Sequence, residues 1–554
     1  MSKLKLSPWQ LSLAAAIFVV AVNNGGLFTS LAGELDLLSR DGIGFLLTIT
    51  GLAIVVLTTL FLVFGIGRFQ KPFIATVFVA AAVFGYFCNE MGVIFHEEMF
   101  LNIAETVRDR NLAEATELAS LPFIGHVILF GILPSVVLVF VQLKRRPVLR
   151  EIGVRALVGI IAVAVLAGIA LPNYRYVTYF AVEHRDLRFK VIPIFPLMSL
   201  VRLTRDKLQR DVPFRTIDAD AQQRWVSGKR AIGIMVVGET ARADHFSLNG
   251  YAKLTNPMLA KADVLFGHGA SCGTSTLFSV PCMFSMRGRD TYDPDSAASE
   301  SNVLDILSAS GVRTVWIENN SSCKHVCDRI ETVDLRRDPD QSSMYYSDMG
   351  YFDEILLREI DTYLGSEGPD LLIVLHTLGS HGPAYSRRYP PQFGTFSPYC
   401  ENASPKECSN DLVSNAYDNT IVYTDYILDQ LIEKLKTRAD EFDGFLFYAS
   451  DHGESLGENG VYLHGLPYAL APQAQTDVPF IAWLSRDLQR NHQMGADAIA
   501  EFGLQPLSHD AISHTLLGLF DVNAASYKPE LDLFSGPLRS LAALDTAPSG
   551  AGMD

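Results

Sequence analysis

Carboxylate, imidazole and amide side chains directly follow four apolar runs in the second half of the chain. The runs, each typical of a buried strand, are 231–238, 313–317, 371–375 and 444–449. The side chains that follow them are Glu239 with Thr240, Glu318 with Asn319 and Asn320, His376 with His381, and Asp451 with His452. Because ligands collect at the carboxyl ends of parallel strands, we expect these side chains to meet at one edge of a sheet. Carboxylate oxygen together with imidazole nitrogen is typical of a zinc site, with manganese the next choice.

A hydroxyl-rich segment, 271–285 (SCGTSTLFSVPCMFS), supplies a nucleophile that such a metal site could use. Its candidates are Thr274, Ser275 and Thr276, which stand just before an apolar, helix-like run. Backbone N–H groups at a helix N-terminus favour a phosphate. An alcohol is a poor nucleophile at neutral pH, but coordination to a metal lowers its pKa. The segment therefore predicts phosphoryl or sulfuryl transfer.

The elements that must position these side chains alternate between strand-like and helix-like patterns. Helical patterns over 302–309 and 417–438 stand between the apolar runs. Uninterrupted apolar runs are typical of strands buried on both faces, and their alternation with helices predicts a doubly wound, mostly parallel α/β sheet. We assign this domain to 226–534 and expect 535–554 to be a flexible tail.

The composition indicates that this acidic domain is joined to a membrane region. The chain has 554 residues, of which 49% are hydrophobic and 19% are charged. Residues 1–175 carry 13 Lys and Arg against 11 Asp and Glu, whereas the remainder carries 32 against 50. This distribution excludes a disordered chain and a protein that binds nucleic acid through a basic face.

Five apolar segments of spanning length predict a membrane domain of five helices over residues 1–173. Each is close to the ~20 residues that cross the hydrocarbon core. The segments are 10–30, 43–66, 72–95, 121–142 and 154–172. Asn23, Asn24, Gly25 and Gly26 interrupt the first, which we interpret as an uncleaved helix because four more spans follow. Lys and Arg concentrate at the N-terminus and in the second and fourth loops, so the N-terminus is expected in the cytoplasm and everything after the fifth span outside.

Two further segments are expected at the membrane surface. Residues 174–225 mix aromatic, basic and short apolar stretches broken by prolines, which predicts a connector rather than a sixth span. The third loop carries an amphipathic stretch, 99–109 (MFLNIAETVRD), that contains Asn102 and Thr106. This stretch is either a helix that lies in the interface or a surface that helps to hold a lipid headgroup.

Six of the seven cysteines lie in the exported part of the chain and indicate an oxidising compartment. They form three local pairs in the sequence, at 272 and 282, 323 and 327, and 400 and 408. An even number in an exported domain predicts disulfides; six cysteines allow fifteen pairings, of which nearest-neighbour pairing is the simplest. The oxidising side of a bacterial inner membrane fits this pattern best.

Five motifs resemble the lipid A phosphoethanolamine transferases, a family that includes the mobile colistin-resistance enzymes. They are 236–257 (VVGETARADHFSLNGYAKLTNP), 271–285, 323–329 (CKHVCDR), 376–385 (HTLGSHGPAY) and 450–465 (SDHGESLGENGVYLHG). They occur in order and at suitable spacing, and the resemblance covers essentially the whole chain. It implies five membrane helices ahead of a periplasmic domain with the alkaline phosphatase and sulfatase fold.

The resemblance also implies roles for individual residues. One tightly bound zinc would have four ligands, Glu239, Thr276, Asp451 and His452, and Thr276 would be the nucleophile that becomes modified. His381 and His464 would serve either a second zinc during turnover or the acceptor phosphate, with His376 beside them.

Contacts with the transferred phosphate or the substrates are implied for a further set of residues. They are Thr274, Asn320 and Lys324, together with Asn102 and Thr106 in the third loop. The implied disulfides are Cys272–Cys282, Cys323–Cys327 and Cys400–Cys408.

The implied reaction is a ping-pong transfer of phosphoethanolamine from phosphatidylethanolamine to a phosphate of lipid A. Thr276 would attack the donor phosphorus, diacylglycerol would leave, and lipid A would take the group from Thr276, with Lys324 adding to charge stabilisation. The ethanolamine cation would mask lipid A and give resistance to polymyxin and other cationic peptides. Both partners are lipids of the inner membrane, no nucleic acid is involved, and we expect a monomer.

Three other functions are weighed against this one. The same transfer could use another acceptor, namely the lipopolysaccharide core, a periplasmic glucan or a protein, although the FSLNGY and CKHVC motifs favour lipid A. A membrane-anchored phosphodiesterase or sulfatase is the second, but Cys282 after Pro281 lacks the C/S-x-P-x-R pattern of sulfatases. The third is a non-catalytic sensor, which the loss of Thr276, Glu239 or Asp451 would have indicated.

We expect His245 and His268 to be structural, and Glu454 and Glu458 to shape the loop after His452.

Overall fold

The computed structural model divides the chain into two compact units. It describes residues 5–34, 39–108, 118–144, 147–174, 176, 185–207, 213–224, 228–294, 296–337, 344–347, 350–402, 404–492, 494, 499, 502–504 and 507–535. The membrane unit comprises Met1–Ile103, Leu118–Arg210 and Gly457–Tyr462. The globular unit comprises Ala104–Glu117, Asp211–Leu456 and Leu463–Asp554.

The membrane unit is a set of apolar helices. Its elements are β1 (Lys5–Leu6), α1 (Pro8–Asn23), α2 (Gly25–Glu34), α3 (Arg40–Phe64), α4 (Gln70–Met91), α5 (Glu97–Arg108), α6 (Leu121–Val127), a π-helical turn (Ile128–Ile132), α7 (Leu133–Phe140), β2 (Gln142–Leu143), α8 (Val148–Ala170), α9 (Arg185–Phe189) and α10 (Ile194–Lys207). Within the described ranges, four helical stretches are long and apolar enough to cross a membrane: Gly42–Phe64, Gly67–Met91, Leu121–Phe140 and Leu149–Ala170. The predicted five spans are reached when α1 and α2 count as one bent span.

The first predicted span is broken rather than continuous. α1 and α2 meet at an angle of 56°. The buried Asn24 amide donates to the carbonyl of Ile192 (3.0 Å) and accepts from its N–H (2.8 Å). Asn89 accepts from the N–H of Gly26 (2.7 Å). These side chains satisfy backbone groups near the break, as a break inside a membrane requires.

The globular unit is built on an eight-stranded sheet, and it also contains short strands that lie outside this sheet. Its strands are β3 (Gln222–Gln223), β4 (Arg230–Gly238), β5 (Leu265–Ala270), β6 (Arg313–Glu318), β7 (Glu331–Asp334), β8 (Tyr346–Ser347), β9 (Gly350–Tyr351), β10 (Leu371–His376), β11 (Phe442–Ser450), β12 (Ser455–Leu456), β13 (Tyr462–Leu463), β14 (Asp477–Leu484), β15 (Leu507–Ser508) and β16 (Val522–Asn523). Its helices are α11 (Thr276–Met283), α12 (Ser296–Ser299), α13 (Val303–Ala309), α14 (Glu354–Leu364), α15 (Asn410–Lys436), α16 (Gln473–Thr476), α17 (Arg486–Asn491) and α18 (Asp510–Leu519).

The sheet confirms the predicted doubly wound, mostly parallel α/β fold. Its order is β15-β5-β14-β11-β4-β10-β6-β7, and the five strands from β11 to β7 run parallel. β14 is antiparallel to both of its neighbours, β11 and β5. Helices α14 and α15 pack on one face and α11, α13 and α18 on the other, so each face has its own apolar core. Strands covered on both faces read as continuous apolar runs, which is why the four central ones could be recognised in the sequence.

Residues just ahead of position 226 pack with the globular unit. Ala221 is buried in its core. Gln222–Gln223 pairs with Val522–Asn523 near the other end of the unit. Of the predicted connector 174–225, α9 and α10 belong to the membrane unit, whereas the residues from Asp211 onward belong to the globular unit. The predicted tail lies outside the described residues except for Ser535.

Candidate active site

Four neighbouring parallel strands bring polar side chains to one face of the sheet at their carboxyl ends. The inward side chains of that face include Val237 of β4, Ala449 of β11, Val374 of β10 and Trp316 of β6. Because side chains alternate along a strand, the residue two positions further along continues on the same face. The residues reached in this way are Glu239, Asp451, His376 and Glu318, and all four are buried.

Glu239, Asp451 and His452 form a buried group that could hold a metal ion. One ligand atom from each lies within 4.8 Å of the others. His452 Nε2 is 3.5 Å from Glu239 Oε1 and 3.3 Å from Asp451 Oδ2. Neither of these two carboxylate oxygens has a hydrogen-bond partner in the described part of the chain. Buried oxygens without partners are costly, and a cation between them would satisfy both.

The electrostatics of this group also fit a cation. Burial, together with the neighbouring Asp451 charge, raises the pKa of Glu239 well above its ordinary value. Burial likewise raises the pKa of Asp451. Burial and the charge of His464 lower the pKa of His452, so its ring is held neutral, as a metal ligand must be. Two carboxylates and one imidazole form a donor set that suits zinc.

The turn that carries Glu239 is held in an uncommon backbone conformation. Thr240 has a φ of 53°, in the left-handed region. Asp451 Oδ1 accepts from the N–H of Thr240 (3.2 Å), and the Tyr417 hydroxyl of α15 donates to the Thr240 carbonyl (2.7 Å). Gly379 lies so close that a Cβ there would be 2.7 Å from the carbonyl oxygen of Glu239. The carboxylate position is therefore fixed by contacts from three other segments.

Thr276 is the hydroxyl of the 271–285 segment that reaches the carboxylates. It is the first residue of α11, and its Oγ1 donates to Glu239 Oε2 (3.1 Å) and lies 3.4 Å from His452 Nε2. The hydroxyl of Thr274 instead donates to the carbonyl of Leu466 (2.6 Å) and braces the loop. Ser275 Oγ is buried without a hydrogen-bond partner among the described residues.

Asn320 and His376 lie beside the same carboxylates. Asn320 Nδ2 donates to Glu239 Oε2 (2.6 Å). His376 Nδ1 is 3.0 Å from Glu318 Oε2, so this nitrogen carries the hydrogen when the carboxylate is ionised. His376 Nε2 is buried and has no hydrogen-bond partner within the described ranges. Glu318 therefore orients the imidazole, a role that the sequence reading did not give it.

Three imidazoles lie in a row next to the carboxylates, one pair tilted and the other edge-to-face. The ring centroids of His452 and His464 are 4.3 Å apart, and those of His464 and His381 are 5.4 Å apart. Glu454 is fully buried, and its Oε2 lies 2.7 Å from His464 Nδ1. Its other oxygen accepts from the Tyr385 hydroxyl (2.7 Å). Glu454 thus belongs to the site and does more than shape the loop.

Lys324 lies on a tight, disulfide-closed loop. Cys323 is bonded to Cys327, and the other bonded pairs are Cys272–Cys282 and Cys400–Cys408. Lys324 has a φ of 49°, is only 5% exposed and donates to the Ser321 carbonyl (3.3 Å). Burial lowers the pKa of His381, and the charge of Lys324 contributes to this shift, so the ammonium group lies near that imidazole.

The remaining predicted residues belong to other elements of the chain. Asn102 and Thr106 are both on α5, which the amphipathic pattern of the third loop predicted to be helical. His245 is buried against Asp418 (2.6 Å), and the partly exposed His268 pairs with Asp477 (2.9 Å). These last two contacts agree with the structural roles expected for the two histidines.

The fold of the globular unit is that of the alkaline phosphatase and sulfatase superfamily. A sulfatase family model matches residues 232–522, and a model described as phosphoethanolamine transferase EptA/EptB matches residues 53–208. The phosphatidylethanolamine transferase Mcr-1 of Escherichia coli is 36% identical over 94% of this chain and 96% of that protein. The chain belongs to the phosphoethanolamine transferase family.

Other relatives match over the whole length or over the globular part. The integral membrane lipooligosaccharide phosphoethanolamine transferase A of Neisseria meningitidis has a TM-score of 0.91 at 29% identity, covering 96% of this chain and 99% of that one. The soluble domain of that protein has a TM-score of 0.57 at 37% identity, covering 59% and 98%. The Kdo(2)-lipid A phosphoethanolamine 7''-transferase of Escherichia coli K12 is 31% identical over 51% of this chain and 50% of that protein.

Proposed function

We propose that this transferase moves phosphoethanolamine from phosphatidylethanolamine to a phosphate of lipid A through a covalent Thr276 intermediate. The observation that carries the proposal is the contact of the Thr276 hydroxyl with Glu239, 3.1 Å away, beside the buried carboxylate–imidazole group. Donor and acceptor follow from the names of relatives, which include a phosphatidylethanolamine transferase and a Kdo(2)-lipid A phosphoethanolamine transferase.

Glu239, Thr276, Asp451 and His452 would hold one zinc ion, which when bound would lower the pKa of the threonine hydroxyl and neutralise charge on the phosphoryl oxygens. Glu239 Oε2 already accepts the hydrogen bond of the Thr276 hydroxyl, so it points the Oγ1 lone pairs away from itself. Asn320 holds that same carboxylate oxygen at 2.6 Å and keeps it oriented.

Two displacements at phosphorus complete the reaction. Thr276 Oγ1 forms a bond to the phosphorus of phosphatidylethanolamine, the bond to the diacylglycerol oxygen breaks, and the proton lost by Thr276 is balanced by the one that diacylglycerol takes up as it leaves as an alcohol. An oxygen of a lipid A phosphate then attacks the same phosphorus, the bond to Thr276 breaks, and Thr276 Oγ1 regains the proton that the acceptor phosphate gives up. His381 and His464 would receive the acceptor phosphate or a second zinc, His376 would lie beside them, and Lys324 would add positive charge. Thr274, Asn102 and Thr106 would contribute further substrate contacts.

The membrane unit would place this chemistry at an inner membrane. The N-terminus would lie in the cytoplasm and the globular unit in the periplasm, where the disulfides are stable. Masking of lipid A phosphates would then give resistance to polymyxin. We propose that the enzyme acts as a monomer, as one active site is assembled from residues of one chain.

Mass spectrometry of lipid A from cells that express the protein tests the proposal. The wild type is expected to add a phosphoethanolamine unit, and Thr276→Ala is expected to add none while it folds normally, because one hydroxyl contributes little to so large a core. A fully active Thr276→Ala variant would refute the nucleophile. If lipid A is unchanged in cells that contain folded, active wild-type enzyme, the acceptor would instead be the core oligosaccharide or a periplasmic glucan.

A further inference from the structure

We propose that His509 is a positioning residue that fixes the Thr276 turn relative to the Asp451–His452 strand end. This inference rests on the proposed function of Thr276. His509 lies directly before α18 and is 1% exposed. Its two ring nitrogens bond to backbone groups of two different segments. Nδ1 is 2.9 Å from the N–H of Cys272, and Nε2 is 2.9 Å from the carbonyl oxygen of Ser450.

The two partners of His509 determine which nitrogen carries the hydrogen. A backbone N–H can only donate, so Nδ1 must accept from Cys272. A carbonyl can only accept, so Nε2 must carry the hydrogen that Ser450 receives. Only the neutral imidazole with hydrogen on Nε2 satisfies both. Burial lowers the pKa of His509 to about 3, which keeps the ring in this form.

The residues that His509 contacts adjoin the reacting groups. Cys272 begins the turn that leads to Thr276, and Ser450 directly precedes Asp451. The backbone N–H of His509 also donates to the Ala270 carbonyl (3.1 Å), at the end of β5. The side chain and backbone of His509 thus join residues 270–272 and the end of β11 to the start of α18.

Helix α18 also holds the other end of the nucleophile helix. Ser513 is one helical turn beyond His509 and therefore on the same side of α18. Its hydroxyl donates to the carbonyl of Met283 (3.0 Å), the last residue of α11. His509 thus bonds ahead of the start of α11 and Ser513 bonds at its end, which sets the position of the helix that carries Thr276.

The distance that matters for the reaction depends on this placement. Thr276 Oγ1 and His452 Nε2 are 3.4 Å apart although the residues are 176 positions apart in the chain. A displacement of about 1 Å between reacting groups can slow a reaction by roughly 100-fold. Removal of His509 is therefore expected to slow the attack by Thr276 more than it weakens lipid binding.

The test compares His509→Phe and His509→Gln with His514→Phe in the full-length, purified enzyme. Phenylalanine retains an aromatic ring against Phe480, whose centroid is 5.8 Å from that of His509, and loses both hydrogen bonds. His514 is a matched control because it is a buried histidine of the same helix that accepts from the N–H of Lys528 (3.2 Å), outside the site. Intact mass spectrometry follows formation of the Thr276 adduct with phosphatidylethanolamine and no acceptor.

We expect His509→Phe to form the adduct roughly 10–100-fold more slowly, the range seen when residues that orient active groups are removed. The KM for phosphatidylethanolamine should change less than about threefold. His509→Gln should be intermediate because its amide can reach only one of the two partners, and this variant decides the matter if His509→Phe does not fold. His514→Phe should react at the wild-type rate.

Hydrogen exchange provides a readout that does not depend on activity. Amide exchange should accelerate at 271–283 and 450–456 in His509→Phe and remain unchanged there in His514→Phe. Equal adduct rates in the two variants, or a slower rate without faster exchange, would overturn the inference. Faster exchange in His509→Phe together with no adduct in the wild type would support the positioning role of His509 and refute Thr276 as the nucleophile.

Discussion

The two buried carboxylates of Glu239 and Asp451 lead us to expect that the stability of the protein depends on a bound cation. Without a cation they lie fully buried beside one another, and breaking up such like charges relieves repulsion. We expect metal-free Glu239→Gln to melt at a higher temperature than the metal-free wild type. With zinc at about 100 times its Kd the order should reverse, because binding adds about 2.7 kcal/mol to the wild type. Thermal unfolding with chelator and with added zinc measures the Tm of each protein in both states. A wild-type Tm that does not change when the chelator is added would contradict the metal site.

The Glu454–His464 pair gives a second expectation for single residues. Glutamine in place of Glu454 keeps the size of the side chain and removes the charge that orients the imidazole. We expect Glu454→Gln to transfer roughly 10–100-fold more slowly, as for other partners that orient an active imidazole. The exposed Glu458, which the sequence reading grouped with Glu454, supplies the control, and Glu458→Gln should retain normal activity. Equal activity of the two variants in the lipid A assay would remove Glu454 from the site.

The strand-end residues could be predicted from the sequence, whereas the residues that orient them could not. Glu239, His376 and Asp451 each end a continuous apolar run, and parallel strands bring such ends together. Glu454 follows His452 by two positions on a loop without periodicity, and its partner His464 is fixed only by the folded loop. His509 has no motif of its own, because its partners at 272 and 450 are distant in the chain.

At the scale of elements, His509, directly before α18, is a buried neutral imidazole that is expected to make the fold sensitive to acid. The pKa of His509 is lowered to about 3, whereas an unfolded histidine titrates near 6.5. The unfolded chain therefore binds a proton first as pH falls. The contribution of neutral His509 to the free energy of unfolding is thus complete above about pH 6.5 and is lost progressively below it. At about pH 4.5 the loss is about 2–3 kcal/mol from this residue.

Thermal unfolding of His509→Phe at several pH values tests this. Below about pH 6.5 its Tm should fall less steeply than that of the wild type, since phenylalanine takes up no proton. Parallel pH profiles for the two proteins would contradict the assignment of a neutral His509.

Elements with strong periodicity were predicted well, and elements set by distant pairing were not. The helical pattern over 417–438 corresponds to the second part of α15, whose start at Asn410 lies beyond the predicted range. Gln222–Gln223 carries no strand signal in the sequence, because it is polar and gains its place only by pairing with Val522–Asn523. The antiparallel β14 likewise has no signal that distinguishes its direction.

At the scale of the whole molecule, the globular unit contains every proposed zinc ligand. A fragment of residues 213–554 is expected to fold and to show zinc-dependent melting, as soluble domains of relatives exist as separate structures. It should transfer phosphoethanolamine to lipid A in vesicles poorly, because it lacks the apolar helices that would hold it near lipid. Circular dichroism with and without chelator and a vesicle assay beside the full chain measure this. A fragment as active as the full chain would show that the membrane unit does not serve the reaction.

At the break between α1 and α2, a residue that is unfavourable for membrane insertion is favourable for folding. A leucine in place of Asn24 would make this segment a better substrate for the insertion machinery, since apolar residues lower the cost of entering the bilayer. The same change would remove both bonds to Ile192 and leave its backbone groups buried without partners. A first span that is easier to insert into the membrane would therefore be harder to assemble with the segment around Ile192.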